Sequence, residues 1–284
     1  MSTYMDLSLL YQKDIFPSFV AAKLATAAID YKEKHSLIKN ANKTNPYHLE
    51  AGVVLLLNYR SNQEKSEYVF QLIRRSQKVT QAGDISCPGG ILHPRIDKIL
   101  SFFLKTGIIP DLRKKTLNYD AHKDKETNAL IRLFLANALR EAWEEIDLIP
   151  FNISFLGALP CYSLTSFAIT IYPLVCLTPK PFRYKLSSEV DKILEIPLSF
   201  FFQSSNYASL EIETPMENTA SSQNGKLPCL VIPDGRGNID ILWGATFNII
   251  TNFLRIISDD SLPPLSSSKI IKKVLTNSYI SGNR

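Results

Sequence analysis

The stretch Arg140-Glu141-Ala142-Trp143-Glu144-Glu145 is the most informative part of this chain. Its glutamates stand at positions i, i+3 and i+4, a spacing that places them on one face of a helix. Like charges this close repel one another, so we expect a positive partner beside them. Carboxylate oxygens suit Mg²⁺ or Mn²⁺, which bridge carboxylates to phosphate groups. The stretch predicts a metal-binding helix and phosphate chemistry, although many acidic helices are only solvated faces.

A glycine-rich turn upstream strengthens the functional interpretation. The stretch Gly83-Asp84-Ile85-Ser86-Cys87-Pro88-Gly89-Gly90 ends a predicted strand. Adjacent glycines permit backbone angles that other residues avoid, and they let the backbone approach a ligand closely. A Gly-Gly turn alone is a weak signal, so its weight comes from the acidic helix that follows it.

Together, Gly90 and the helix Ala138 to Leu148 resemble the two ends of the Nudix box. That pattern reads G, five residues, E, seven residues, then R-E-U-x-E-E-x-G-U, where U is bulky and apolar. The second half matches except that Asp147 replaces glycine and the small Ala142 occupies the first U position. Aspartate tolerates left-handed backbone, so we expect the helix to end at Asp147.

The first half of the pattern departs further. The family has thirteen residues between the glycine and the Arg-Glu pair, whereas this chain has forty-nine between Gly90 and Arg140, an insertion of thirty-six. The family's first glutamate has no match, because counting from the two ends reaches Ile96 and Arg132. Asp97 is the nearest acid on the first count, and the role is assigned to no residue.

Other segments are similar to one branch of the family, the coenzyme A diphosphatases. Leu72-Ile73-Arg74-Arg75-Ser76 and Cys87-Pro88-Gly89-Gly90 approximate its signature, although Cys87 replaces phenylalanine, the spacer is one residue short and a second arginine is missing. Ser188-Glu189-Val190 and Leu242-Trp243-Gly244 are similar to later segments of that branch. The resemblance runs from about residue 48 to about residue 254.

The resemblance implies an α/β fold, a Nudix-type α/β/α sandwich with a mixed sheet. We expect an N-terminal helical extension at 1–46, a Nudix domain at 47–258 with an insertion at about 97–130, and a peripheral tail at 259–284. A helix is predicted from Phe19 to Tyr31. Buried strands are predicted at Gly52–Leu57 and Tyr68–Ile73.

The resemblance also implies roles for named residues. Glu141, Glu144 and Glu145 are the predicted metal ligands, and Glu145 is also catalytic. Arg140 would hold these glutamates by charge-assisted hydrogen bonds. Glu189 is the candidate general base, although a lone loop glutamate is usually just solvated. The expected substrate-binding residues are Arg75, Gly89 and Gly90.

The implied activity is hydrolysis of the diphosphate of coenzyme A or acyl-coenzyme A, a pyrophosphatase reaction that uses Mg²⁺ or Mn²⁺. The products would be 4′-phosphopantetheine and adenosine 3′,5′-bisphosphate. One alternative is hydrolysis of ADP-ribose or another nucleoside diphosphate derivative, since substrate choice lies outside the Nudix box. A second alternative is a catalytically inactive Nudix domain that binds a ligand or a partner, which the missing glutamate and the long insertion motivate.

Composition excludes several classes of protein. The net charge of +5 is modest and spread along the chain, so nucleic acid is not an expected partner. The four cysteines lie far apart and predict reduced thiols. The sequence shows neither a secretory pattern nor a membrane span, so we expect a soluble cytoplasmic protein.

In the insertion, Arg113-Lys114-Lys115 predicts a solvated excursion or, alternatively, a contact with a substrate phosphate or across a homodimer.

Overall fold

A mixed β-sheet forms the centre of the protein in this computed structural model. Strand β1 (Leu49–Ser61) pairs antiparallel with β2 (Ser66–Arg75), which confirms the predicted hairpin. The structure describes residues 6–44, 47–61, 66–106, 123–164, 167–178, 183–213, 226–234, 237–265, 267–275 and 279. The remaining strands of this sheet are β3 (Ile85–Ser86), β4 (Gly89–Ile91), β5 (Ser154–Ala158), β6 (Tyr162–Leu164), β7 (Ile169–Thr178) and β8 (Val190–Pro197). The parallel pairing of β1 with β7 makes the sheet mixed.

Helices cover both faces of this sheet. The described helices are α1 (Phe16–Thr26), α2 (Tyr31–Thr44), α3 (Pro94–Thr106), α4 (Lys125–Ile146) and α5 (Gly244–Ser258). On one face, the Phe134 ring of α4 stacks on Tyr172 of β7 with centroids 3.6 Å apart. On the opposite face, Phe253 of α5 meets Phe70 of β2 edge to face at 5.8 Å. The predicted α/β/α sandwich with a mixed sheet is therefore confirmed.

The N-terminal region differs from its prediction. Instead of one helix over Phe19–Tyr31, α1 ends at Thr26 and α2 begins at Tyr31. The polar stretch Asn40–Pro46 predicts a linker, but α2 continues through most of it to Thr44, and Tyr31 and Ile38 of this helix are buried. The Tyr31 hydroxyl donates a hydrogen bond to the Pro173 carbonyl at 2.7 Å. The N-terminal helices thus contribute to the main core.

A second sheet contains two strands that the sequence did not predict. Its strands are β9 (Tyr207–Glu213), β10 (Leu227–Pro233), β11 (Ile239–Leu242) and β12 (Ile270–Val274). The sequence predicts a hairpin of strands at Cys229–Pro233 and Asp240–Trp243, and the antiparallel β10–β11 pair confirms it. The Ser- and Asn-rich stretch from Gln203 to Leu227 predicts no strand, but β9 forms within it because Ala208 and Leu210 are buried. Strand β12, which lies in the predicted C-terminal tail, pairs in parallel with β9 and so belongs to this sheet.

Helix α3 lies mostly within the segment predicted as an insertion, and it packs against α4. It matches the helical periodicity of residues 96–104. Residues 107–122, which include the basic run Arg113-Lys114-Lys115, lie outside the described residues. Within the ranges that the structure describes, no helix combines the length and apolar character needed to cross a bilayer.

Candidate active site

Helix α4 carries the acidic stretch, and both of its ends are capped. Asp124 caps the N-terminus by accepting hydrogen bonds from the Glu126 and Thr127 amides. At the other end, Asp147 is left-handed with φ 59°, and its amide donates to the Ala142 and Trp143 carbonyls. The prediction that the helix ends at Asp147 is therefore confirmed. These hydrogen bonds fix the last turn of α4.

Asn137 joins this helix to the glycine turn. Its side chain is fully buried, and its Oδ1 accepts a hydrogen bond from the Gly52 amide at 2.6 Å. Its Nδ2 donates to the Ile91 carbonyl at 3.1 Å. Sequence reasoning missed this residue, and its only signal was a polar side chain on the apolar face of a predicted helix. Asn137 sets the distance between α4, β1 and β4.

Close packing at the turn explains why positions 89 and 90, the predicted substrate-binding glycines, have no side chain. Gly89 has φ +144°, and a Cβ there would lie 2.3 Å from the Gly52 carbonyl oxygen. A Cβ on Gly90 would lie 2.6 Å from the carboxyl carbon of Glu141. The Gly89 amide donates a hydrogen bond to Oε2 of Glu145 at 3.0 Å. The structure therefore brings the glycine turn and the glutamates together.

Arg140 is the centre of an ion-pair network on α3 and α4. Its Nε lies 2.7 Å from Oδ1 of Asp97, a fully buried carboxylate on α3. Its other nitrogens lie 2.8 Å from Oε1 of Glu141 and 3.2 Å from Oε1 of Glu144. The hydrogen bond to Asp97 is the main cause that raises the pKa of Arg140. Arg140 thus contacts Glu141 and Glu144, as predicted.

Asp97 lies close in sequence to the position for which no matching glutamate was found. It stands one place beyond the position at which the family pattern expects its first glutamate. Its Oδ2 also accepts a hydrogen bond from the His93 amide at 2.7 Å, which fixes the first turn of α3. A buried carboxylate that accepts several hydrogen bonds orients an arginine firmly. In the sequence, the signal for Asp97 was that it is the acid nearest to the position counted from Gly90.

Glu145 is the most perturbed acid of the site. Its relative exposure is 7%, and burial is the main cause that raises its pKa from 4.5 to about 7. The hydrogen bond from Gly89 and the charge of Arg75 oppose this rise, whereas the charges of Glu141 and Glu189 add to it. Burial also raises the pKa of Glu141. At both carboxylates, the cost of burial therefore outweighs the favourable charge of the neighbouring arginine.

Arg75 and Glu189 lie at the end of β2 and immediately before β8. The Arg75 Nε donates a hydrogen bond to the Thr80 carbonyl at 2.9 Å. The Glu189 carbonyl accepts one from the Ser76 amide at 2.8 Å, and the Glu189 side chain is exposed. Both residues interact electrostatically with Glu145. The structure thus places the predicted base and the predicted substrate-binding arginine beside the glutamates.

Cys87 lies under the site rather than in it. The four cysteines are free, and Cys87 is buried. Burial, and then the charge of Glu145, raises the pKa of the Cys87 thiol to about 12. The thiol is therefore neutral and unreactive. Cys87 contributes to the low polarity around Glu145.

The donor chemistry of the site fits a divalent cation. Glu141 and Glu145 are desolvated acids with raised pKa, and a bound cation would offset their repulsion. Glu144 is about half exposed and turned toward Arg140. Among the residues that the structure describes, no three His, Cys, Asp or Glu side chains already form a set that could hold a metal ion. Metal binding by Glu141, Glu144 and Glu145 stays a prediction.

Comparison with known proteins supports the family resemblance over part of the chain. Two curated relatives are named as uncharacterised Nudix hydrolases NudL, from Enterobacter sp. strain 638 and Citrobacter koseri. Each is 38% identical, over 81 and 80 residues respectively, which is 28% of this chain. The chain spans 41% of the length of these relatives. No model of a known protein family matches the chain.

Several solved structures have a weak likeness to this chain, and three of them are described here. An Ap4A hydrolase of C. elegans is 13% identical, with TM-score 0.33 over 53% of this chain and 81% of its own. The Nudix domain of Shewanella oneidensis NrtR, solved with ADP ribose, is 14% identical, with TM-score 0.33 over 55% and 77%. A MutT/nudix family protein from Enterococcus faecalis is 13% identical, with TM-score 0.39 over 80% and 72%. No conclusion about activity follows from likenesses this low.

Proposed function

We propose that this chain is a Nudix-type hydrolase of the diphosphate linkage in nucleoside diphosphate derivatives, dependent on Mg²⁺ or Mn²⁺. The observation that carries the proposal is Glu145, a buried acid with its pKa raised to about 7, beside Glu141 and under the Gly89 amide. Such a desolvated pair of acids is costly unless a cation or a reaction uses it. Resemblance and geometry therefore point to the same residues.

The chain's own side chains have distinct tasks in this proposal. Glu141 and Glu145, with Glu144, would hold the metal, which when bound neutralises phosphate charge and activates water. Arg140 fixes Glu141 and Glu144, and Asp97 fixes Arg140. Arg75 would bind the diphosphate as a cation, and the glycine turn lets the backbone approach it. Glu189 is exposed beside the site and would accept a proton from water.

A cationic groove next to the candidate site supports coenzyme A as the substrate. A groove of about 490 Å³ between α3 and α4 is lined by four cationic side chains together with Ile99 and Phe102. The four cations are Arg95, Lys98, Lys105 and Arg132. Arg132 and Arg140 are eight residues apart on α4, which is about 12 Å along the helix axis. Coenzyme A has a 3′-phosphate remote from its diphosphate, and this groove offers it a cationic site.

Product analysis tests the proposed function. The pure protein would be incubated with coenzyme A, ADP-ribose or a nucleotide sugar, each with Mg²⁺, with Mn²⁺ or with a chelator. We expect adenosine 3′,5′-bisphosphate from coenzyme A and no product with chelator. Cleavage of ADP-ribose but not coenzyme A would transfer the function to the sibling class of Nudix enzymes. Absence of any product while metal binds would favour the inactive ligand-binding domain.

The groove gives a separate prediction about substrate selection. Replacing Lys98 by Gln should raise KM for coenzyme A by about three- to tenfold, because one charge-assisted contact to the 3′-phosphate is lost. KM for 3′-dephospho-coenzyme A should be unchanged, since that substrate lacks the group. Steady-state kinetics with both substrates would measure this difference. Lys39→Gln, on the exposed side of α2, is the matched control, and an equal change with both substrates would contradict the groove assignment.

A further inference from the structure

The C-terminal residues contact the loop that follows β2. Asp84, in this loop, accepts hydrogen bonds from Lys273 of β12, from the Tyr279 hydroxyl and from Nε1 of Trp243. The Trp243 distance is 3.1 Å. The Lys273 ammonium also lies over the Trp243 ring, 5.0 Å from its centroid. Asp84 and Lys273 are largely buried, so their ion pair is shielded from solvent.

The same loop holds the guanidinium of Arg75. The Gln81 amide donates to the Tyr279 carbonyl at 2.7 Å, and the neighbouring Thr80 carbonyl accepts from Arg75 Nε at 2.9 Å. The loop also closes on the Arg75 backbone, because the Gly83 amide donates to the Arg75 carbonyl at 3.0 Å. The backbone and the side chain of Arg75 therefore both form hydrogen bonds with this loop, and the loop forms a further hydrogen bond with Tyr279.

We propose that β12 and Tyr279 form a C-terminal clamp that positions Arg75 for the substrate diphosphate, with Lys273 and Tyr279 as positioning residues. This inference rests on the proposed function for its kinetic part. Neither residue need touch the substrate, because both act through Asp84 and the loop from Ser76 to Asp84. The contacts run from the clamp to the loop and from the loop to Arg75, whose charge acts on Glu145.

Two adjacent lysines of β12 allow a matched test. Lys273 pairs with Asp84, whereas Lys272 forms an exposed pair with Glu213 at 2.8 Å. Lys273→Gln should raise KM for the hydrolysed diphosphate about tenfold with a smaller change in kcat, because Arg75 then binds from a less fixed position. Lys272→Gln should leave both parameters unchanged. Lys273→Arg should restore KM, and Tyr279→Phe should shift KM in the same direction as Lys273→Gln.

A second measurement does not depend on activity. Hydrogen exchange of the loop amides, Gln81 above all, should become faster in Lys273→Gln and Tyr279→Phe but not in Lys272→Gln. Unaltered exchange in both variants would overturn the clamp, whatever the enzyme does. Faster exchange with an unaltered KM would overturn the positioning of Arg75. If the unmodified protein cleaves no diphosphate, the proposed function fails, and the exchange data alone decide whether the clamp exists.

Discussion

Glu145→Gln should lower the rate of diphosphate hydrolysis by about 10²–10⁴-fold and, in the absence of metal, make the protein more stable at pH 8. Glutamine keeps the shape of the side chain and an oxygen that can accept the Gly89 hydrogen bond, but it removes the charge. Activity falls because the site loses a carboxylate that would hold metal. Stability rises because a charge no longer has to be buried.

The pH dependence of this gain follows from the sign of the pKa shift. The Glu145 carboxyl binds its proton more tightly in the folded protein, with a pKa of about 7, than at its ordinary value of 4.5. Its favourable contribution is therefore complete below pH 4.5 and is lost as the pH rises to about 7. The loss is at most about 3 kcal/mol, which follows from the size of the shift.

Denaturant unfolding with chelator at several pH values would measure this effect. The stability difference between Glu145→Gln and the unmodified protein should open between pH 4.5 and 7 and then stay constant. If the proposed metal site exists, added Mg²⁺ should stabilise the unmodified protein more than the variant, because the cation would bind the folded state. Glu144→Gln, at a half-exposed neighbour, is the control for removing a carboxylate from the same helix. Equal stability of Glu145→Gln and the unmodified protein at pH 8 would refute the desolvation argument.

Asp97→Ala should destabilise the protein by about 3–5 kcal/mol, because it leaves the guanidinium of Arg140 without its buried partner. We also expect kcat to fall by about 10²-fold in the folded variant, since Arg140 then no longer holds Glu141 and Glu144 in place. Asp191→Ala is the matched control. Asp191 pairs with Arg74 at 3.6 Å while about half exposed, so its loss should cost about 0–1 kcal/mol.

A double variant separates the structural and chemical parts of this effect. Asp97→Leu with Arg140→Met removes both charges, so it should recover part of the stability lost in Asp97→Ala. It should recover none of the activity, because Glu141 and Glu144 still lack their arginine. Chemical denaturation and steady-state kinetics on the same samples would show both outcomes. Recovery of activity in the double variant would mean that Arg140 does not orient the glutamates.

Local patterns predicted much of the fold. The buried hairpin and the long acidic helix were readable because apolar periodicity and capping are local properties of the sequence. The sequence also predicted that α4 ends at Asp147, because the tolerance of aspartate for left-handed backbone is a property of that single residue. Strands β9 and β12 were not readable in this way. Their partners lie some sixty residues apart, and a parallel pairing leaves no turn signature between them.

The candidate site was predicted only in part, for the same reason. Glu141, Glu144 and Glu145 follow from spacing on one helix, and Arg140 comes with them. Asp97 is one residue beyond the position at which the family pattern places its first glutamate. Its contact with Arg140 depends on how α3 packs against α4, which the sequence does not reveal. The Lys273 and Tyr279 contacts with Asp84 join residues almost two hundred positions apart. No spacing rule predicts such contacts.

The contacts around Asn137 and Asp97 also bear on the length of the segment that separates Gly90 from Arg140. Loop-closure entropy grows only with the logarithm of loop length, so lengthening this segment from thirteen to forty-nine residues costs about 1 kcal/mol. The two halves of the motif meet through hydrogen bonds and an ion pair, and those bonds do not depend on the length of the connection. A change in the length of the intervening segment should therefore cost little stability, provided that Asp97 still reaches Arg140.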